Sequence, residues 1–432
     1  MRILVAHGYA LRPGGAPIGA RSLAAGLAAD HEVHLVTRAG VCDDPLLEGI
    51  EVHTYTNAVQ GVLGLRRLMR RLRPDVVVLF GYFDVYNCFL ARAARKAGAT
   101  VVLHPLAQVW PVILRESLFT QGCDVRSLEK KQANVDGLGK RLYSRVSPVA
   151  KRVYIRTTGA MMERNLHFVA ALSSEERRQF QSLYERPDEG FTELRWGIDS
   201  YPDTSGRPRH YFRDQLGYRD GRANLIVWAR LDWHYKGLDR AIEAVAHARR
   251  SGTPPFRLFL CGPDYRGGGV RAAKRIEELG LSDDCRVLFP GDYEPGDLTP
   301  LRDAEATVLL PRWDGAPRAL RESLALGTPV IVSPATNFID QVEEYGCGIT
   351  IPDPDDPAEV AAAFTAMADQ ARRARYEEGA RRYAAEMDWT SMARRFVSLL
   401  ASARPETARA ASAAAQRKPA GGWKTSATVS GR

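Results

Sequence analysis

The reading of the fold starts from Ala229–Ala244, ARLDWHYKGLDRAIEA. Behind its arginine lies the apolar run Leu225–Ala229, which reads as a buried strand. Ahead of its lysine, Leu238, Ala241, Ile242, Val245 and Ala246 recur at helical spacing. Arg230 and Lys236 therefore bracket a short polar loop where a strand hands over to a helix. Two cations at such a junction suit a diphosphate. The guanidinium offers a bidentate fork, the ammonium a point charge, and the helix N-terminus a further partial positive charge. Two unrelated surface cations are the plainer alternative.

The same alternation extends in both directions. Strands are expected near Ile3–His7, Val33–Thr37, Val76–Phe80, Thr100–Leu103 and Phe168–Leu172, with helical patterns between them. A second series falls near Leu225–Ala229, Arg257–Cys261, Arg286–Phe289, Thr307–Leu310, Pro329–Val332 and Gly348–Ile351. Repeated β-α-β units imply parallel sheets covered on both faces, hence an α/β protein of two doubly wound, Rossmann-like domains. Pro187, Gly190 and Gly197 break the pattern, placing the join near 190. The expected domains are 1–190 and 191–387, with a last helix at about 388–401 packing back on the first domain. Residues 404–432, with six Lys/Arg against one acid, read as a disordered basic tail.

Bulk properties exclude several classes. The 432 residues are 45% hydrophobic and 26% charged, ordinary values for a globular protein. No apolar run approaches the ~18 residues of a membrane span, and the N-terminus MRILVAHG reads as a strand, not a signal peptide. The six cysteines have no paired spacing, which speaks against a disulfide framework or a zinc site and fits a reducing cytoplasm. The net charge of +9 permits anionic partners: nucleotide phosphates, nucleic acid or an anionic membrane face. No recognition-helix module supports nucleic acid.

Ligands of parallel sheets bind beyond the strands' carboxyl ends. There, Gly14, Gly15 and Gly19 follow the first strand and allow close backbone approach to a phosphate or sugar, or simply make a turn. His104 ends another strand and could hydrogen-bond a hydroxyl, as could His7, or either could be structural. After Thr307–Leu310 come Asp314 and Gly315 in a loop, Pro317 where a helix can start, and Glu322 inside it. Carboxylates accept hydroxyl hydrogen bonds, which suits a sugar and a ribose diol; two solvated acids are the alternative.

Together these motifs resemble the glycogen-synthase-like retaining glycosyltransferases, glycosyltransferase family 4 (group 1), with the GT-B fold. The residues carrying the likeness are R-x5-K-G (Arg230, Lys236-Gly237), the acid–x7–Glu pattern in DGAPRALRESLALGTPV (from Asp314), WGID (Trp196–Asp199), CGPD (261–264), FPGDY (289–293) and EEYGCGITIPDPDDPAEVAAAF (343–364). The resemblance implies a metal-independent transferase that moves a sugar from a UDP-, GDP- or dTDP-linked donor to a hydroxyl acceptor (a natural product, lipid or polysaccharide) with retention. It implies that Arg230 and Lys236 hold the diphosphate and that Glu322 binds the ribose. Asp314 would contact the donor sugar, helped by backbone amides around Gly315, Ala316, Pro317 and Arg318, of which the proline has no N–H to give. His104 would lie near the transferred sugar, the Gly14-Gly15 loop near phosphates or acceptor, and Tyr293 near the base. No separate cofactor is implied. The sequence departs from the family's pattern at Asp314, where a glutamate is usual, and at Thr336-Asn337, where many members carry a glycine pair. Residues 112–164 lack a counterpart; their eleven Lys/Arg against five acids fit plain solvated helices, or helices that grip an anionic acceptor or the inner membrane face. The rival readings are a nucleotide-sugar epimerase or hydrolase of the same fold, and a non-catalytic basic scaffold.

Overall fold

The computed structural model describes residues 1–416 except 13–14, 41, 82–84, 106–158, 185, 200–209, 295 and 313. Two parallel sheets organise the chain. The first contains β1 (Arg2–His7), β2 (Glu32–Arg38), β3 (Glu51–Tyr55), β4 (Val76–Phe80), β5 (Thr100–His104), β6 (Phe168–Ala171) and β7 (Phe191–Glu193). Their order is β3-β2-β1-β4-β5-β6-β7. The second contains β8 (Ala223–Trp228), β9 (Phe256–Cys261), β10 (Cys285–Leu288), β11 (Ala306–Leu309), β12 (Val330–Val332) and β13 (Gly348–Thr350), in the order β10-β9-β8-β11-β12-β13. Helices cover them: α1 (Gly15–Ala28), α2 (Ala58–Leu72), α3 (Val85–Lys96) and α4 (Ser174–Tyr184) in the first half, then α5 (Leu238–Arg249), α6 (Gly268–Glu278), α7 (Thr299–Asp303), α8 (Arg318–Ala325), α9 (Ile339–Tyr345), α10 (Pro357–Ala368), α11 (Gln370–Glu386) and α12 (Trp389–Gln416). Among the described residues no helix is long and apolar enough to cross a membrane.

Central strands such as β4 (VVVLF) and β9 (FRLFLC) are buried along their whole length. A parallel sheet sandwiched between helices requires this, and it is why such strands read as continuous apolar runs. Both sheets reverse strand order beside their first strand, between β1 and β4 and between β8 and β11. That reversal opens a crevice at the carboxyl ends.

Three expectations need correction. Strands β3 and β7 went unread, because EVHTY is an edge strand of mixed polarity and FTE is only three residues long. The first sheet therefore runs to Glu193, past the join placed near 190. Helix α12 continues through Pro405 to Gln416, so residues 404–416 are not a disordered tail. The alanine-rich stretch has high helix propensity, which outweighs the one backbone bond lost at proline; residues 417–432 lie outside the described residues.

The chain passes between domains twice, and the two passages run side by side. Ile198 N–H donates to Met387 O at 2.7 Å, and Ile198 bridges Asp388. A Cβ at Gly197 would lie 2.7 Å from Trp389 Cα, so the passages are in backbone contact. Beyond them α12 inserts Ala393, Phe396 and Leu400 into the core formed by Ile3, Val5, Leu23 and Val78 of the first domain. Arg394 pairs with Asp30 at its edge, at 2.7 Å.

Candidate active site

Beyond the carboxyl ends of β8 and β11 lies a cavity of about 480 Å³, whose walls include Trp228, Arg230, Lys236, Tyr293, Arg318 and Glu322. The β8–α5 connection supplies the cations. Gly237 precedes α5 with φ +67°, and a Cβ there would lie 2.0 Å from Leu310 O. The lysine must therefore be followed by glycine for the loop to seat against the end of β11. Gly262, at φ +153°, makes the same close approach to Ala229 O from the end of β9. Arg240 of α5 ties the strand end down by donating to Leu310 O at 3.1 Å and Pro311 O at 3.0 Å.

Arg230 and Lys236 flank one ring. The guanidinium carbon lies 5.9 Å and the ammonium 5.1 Å from the centroid of Tyr235. Arg230 also stacks on Tyr265 at 3.9 Å, which holds its plane while leaving the side chain 46% exposed to the cavity. Lys236 donates to Asp314 Oδ2 in a pair whose members are 14% and 11% exposed. An ammonium has three donors, so this pair leaves others for anionic oxygens.

The opposite wall is the start of α8. The helix begins at Arg318, with Pro317 capping it from outside and not occupying its first turn. Pro317, Arg318, Ala319 and Glu322 line the cavity, so the helix's amino end points its free N–H groups and partial positive charge inward. Gly315 O accepts from Asn337 Nδ2 at 3.3 Å, and Asp314 N–H donates to Ala335 O at 2.8 Å. The side chain of Ala316 packs against the first domain's core. Glu322 is 9% exposed, and burial pushes its carboxyl above the usual range, opposed by Arg318 and Arg321. It accepts from the Trp228 indole and pairs with Arg318 Nε at 2.8 Å. Tyr293 packs on Trp228 with centroids 5.3 Å apart and hydrogen-bonds Cys261.

Arg230, Lys236, Asp314, Tyr293, Arg318 and Glu322 are thus brought together. His104 is not with them. It is fully buried, with Nδ1 2.9 Å from Ala170 O and Nε2 2.5 Å from Trp196 Nε1. The indole only donates, so Nε2 accepts and Nδ1 carries the proton. Both ring nitrogens are used, and burial lowers the pKa to about 4. The expected sugar contact is replaced by a strut between β5 and the first interdomain passage. Gly19 serves the same tryptophan, since a Cβ there would fall 2.5 Å from its ring. Gly15 opens α1, and Gly14 lies outside the described residues, as does most of 112–164.

The sequence reading missed how the passage reaches the site. Asp199 Oδ2 lies 3.4 Å from Arg318 Nη2, and its Oδ1 accepts from the Trp389 indole at 3.3 Å. Arg321 stacks on Trp196 at 4.8 Å. The Trp and Asp of WGID were the available signal, but pairing them with α8 required the fold.

Similarity to known proteins agrees with this geometry. Residues 209–383 match the family Glycosyl transferases group 1, and residues 14–192 match the Glycosyl transferase 4-like domain. The two matches cover most of the chain, one per sheet. The second half of the chain thus carries a group 1 glycosyl transferase domain, and the first half a glycosyl transferase 4-like domain. It is 27% identical over 228 residues to lipopolysaccharide glucosyltransferase WaaG of Escherichia coli (strain K12), across 51% of this chain and 58% of that protein. The match thus spans under two thirds of the relative. A crystal structure of WaaG superposes with TM-score 0.58 at 19% identity, over 91% of this chain and 97% of that chain. Anabaena HepE in complex with UDP superposes with TM-score 0.66 at 18% identity, over 93% and 100%; its UDP-glucose complex gives 0.65. These likenesses establish the fold, a GT-B pair of Rossmann-like domains.

Proposed function

We propose that this glycosyltransferase moves a hexose from a nucleoside diphosphate to a hydroxyl acceptor, with retention of configuration and without a metal. One observation carries the reading: Arg230, Lys236, the amino end of α8 and the buried Glu322 converge on a single cavity. Arg230 and Lys236 would hold the diphosphate. Glu322, kept in place by Trp228 and Arg318, would accept from the ribose hydroxyls, and Tyr293 would border the base. Asp314 would reach the donor sugar from its lysine partner. As the C1–O bond to phosphate breaks, the departing phosphate gains charge that the two cations neutralise. Cation contacts that strengthen by ~3 kcal/mol in that transition state speed the step about a hundredfold. The acceptor oxygen attacks from the same face, and its proton passes to the departing phosphate oxygen, so no protein nucleophile is assigned.

A uridine diphosphate sugar is the first donor to try, since the solved relative HepE binds UDP and UDP-glucose. In this reading residues 112–164 would hold the acceptor and contact an anionic membrane face from the cytoplasm. The test is a panel of nucleotide sugars followed by thermal unfolding, then by product analysis with and without acceptors. A donor that raises the melting temperature and is consumed only when acceptor is present supports the transferase. Conversion of donor alone supports the epimerase or hydrolase reading; stabilisation by no nucleotide sugar overturns both.

A further inference from the structure

At the far edge of the first sheet, β2 and β3 place a second cluster. Their register sets His34 opposite Glu51 and Val36 opposite His53, so His34, Glu51 and His53 share one face. His34 Nδ1 lies 3.2 Å from His53 Nε2 and 3.3 Å from Glu51 Oε2. Ligands of a tetrahedral zinc ion, bound at about 2.0–2.1 Å, sit roughly 3.3 Å apart. The two imidazoles are 8% and 10% exposed, and the carboxylate is 57% exposed, which leaves the outer side open to water. Glu32 Oε1 lies 3.1 Å from His34 Nε2. It fixes the proton there and turns the Nδ1 lone pair toward the cluster, the carboxylate–histidine arrangement that orients metal-bound imidazoles.

The geometry points to a divalent-metal site of the zinc class formed by His34, His53 and Glu51, with Glu32 as its positioning residue and water as fourth ligand. The site stands at the start of β3, an edge strand, whereas the nucleotide cavity lies beyond strand carboxyl ends. It therefore pins the edge strand and takes no part in sugar transfer. Arg71 is the competing group: its Nη2 donates to His53 Nδ1 at 2.7 Å and lies 3.3 Å from Glu51 Oε1. Metal binding requires the His53 proton to sit on Nδ1, facing Glu51 Oε1 at 3.5 Å, while the exposed Arg71 turns away. Both histidines bind as neutral imidazoles.

The test is titration of the full chain, free of any histidine tag, with cobalt(II) and zinc(II) at pH 7.5, read by visible absorption and calorimetry. One equivalent of cobalt should bind with the intense absorption of a tetrahedral site and be displaced by zinc. His53→Ala, on the edge strand and so the least disruptive change, should abolish it. Glu32→Gln should weaken binding about 10- to 100-fold, and Arg71→Ala should bind at least as tightly as wild type. Lys236→Ala should bind normally, which keeps this outcome separate from the fate of the donor site. No saturable binding in the wild type, or equal binding by folded His53→Ala, overturns the proposal.

Discussion

Lys236 and Arg230 line the cavity and both lie near the ring of Tyr235, where the proposed diphosphate would gather charge on leaving. Lys236→Ala should cut turnover about a hundredfold while leaving the fold intact, measured by initial rates of donor consumption; near-normal turnover would remove the lysine from the chemistry. The proposed ribose contact of Glu322 would be shared by ground and transition states. Glu322→Ala should therefore weaken nucleotide affinity by about 1.5–3 kcal/mol, more than tenfold, with a smaller effect on turnover at saturation; calorimetry giving wild-type affinity would contradict this. His104 shows a different kind of dependence. Its pKa is about 4 in the folded protein against an ordinary 6.5, so its contribution is fully present above pH 6.5. It is lost as pH falls toward 4, because only the unfolded chain then takes the proton. The stability gap between wild type and His104→Gln should narrow by about 1.4 kcal/mol per pH unit across that window. Urea unfolding at several pH values reads it directly; a constant gap would mean the histidine is not held neutral. At this scale the sequence located Arg230, Lys236, Asp314 and Glu322 at strand ends and a helix start, which are local signals, and the fold brings them to one cavity. The sequence misled at His104, because burial against Trp196 is a tertiary contact 92 positions away.

Among elements, α12 shows what local periodicity can and cannot say. Its apolar spacing was plain, but its end was read at Pro405, where alanine propensity carries the helix on to Gln416. Its packing gives a sharper test. Phe396 is buried in the first domain's core with Ala393 and Leu400. Phe396→Ala should cost about 3–5 kcal/mol in denaturant unfolding, whereas truncation after Arg404 should leave activity on a soluble acceptor unchanged. Equal behaviour of the two variants would mean α12 is not the strap joining the domains. Strand β3 was illegible for a related reason: EVHTY mixes exposed, half-buried and buried positions without a regular alternation. With it went the His34–Glu51–His53 cluster, assembled by a register between residues far apart in sequence.

In the whole molecule, two sheets were predictable because buried parallel strands are continuous apolar runs, and their number fixed the class. The relation between them was not, since it depends on the paired passages around Trp196–Asp199 and Met387–Trp389. Further polar contacts span the domains: Ser174 Oγ donates to Asp340 Oδ1 at 2.8 Å, and Ser173 Oγ to Asn337 Oδ1 at 3.2 Å. Asp199 touches Arg318, which pairs with Glu322, so the passage between domains bears directly on the ligand wall. If the proposed donor binds there, its binding and domain closure should be coupled, which would exclude water from the leaving group. The most direct measurement is calorimetric titration of UDP into the wild type and into Arg230→Ala, Lys236→Ala and Glu322→Ala, each first verified as folded. The account predicts one site per chain in the wild type, with affinity at least tenfold weaker in each variant. Wild-type affinity in all three variants would place the nucleotide elsewhere and contradict the account.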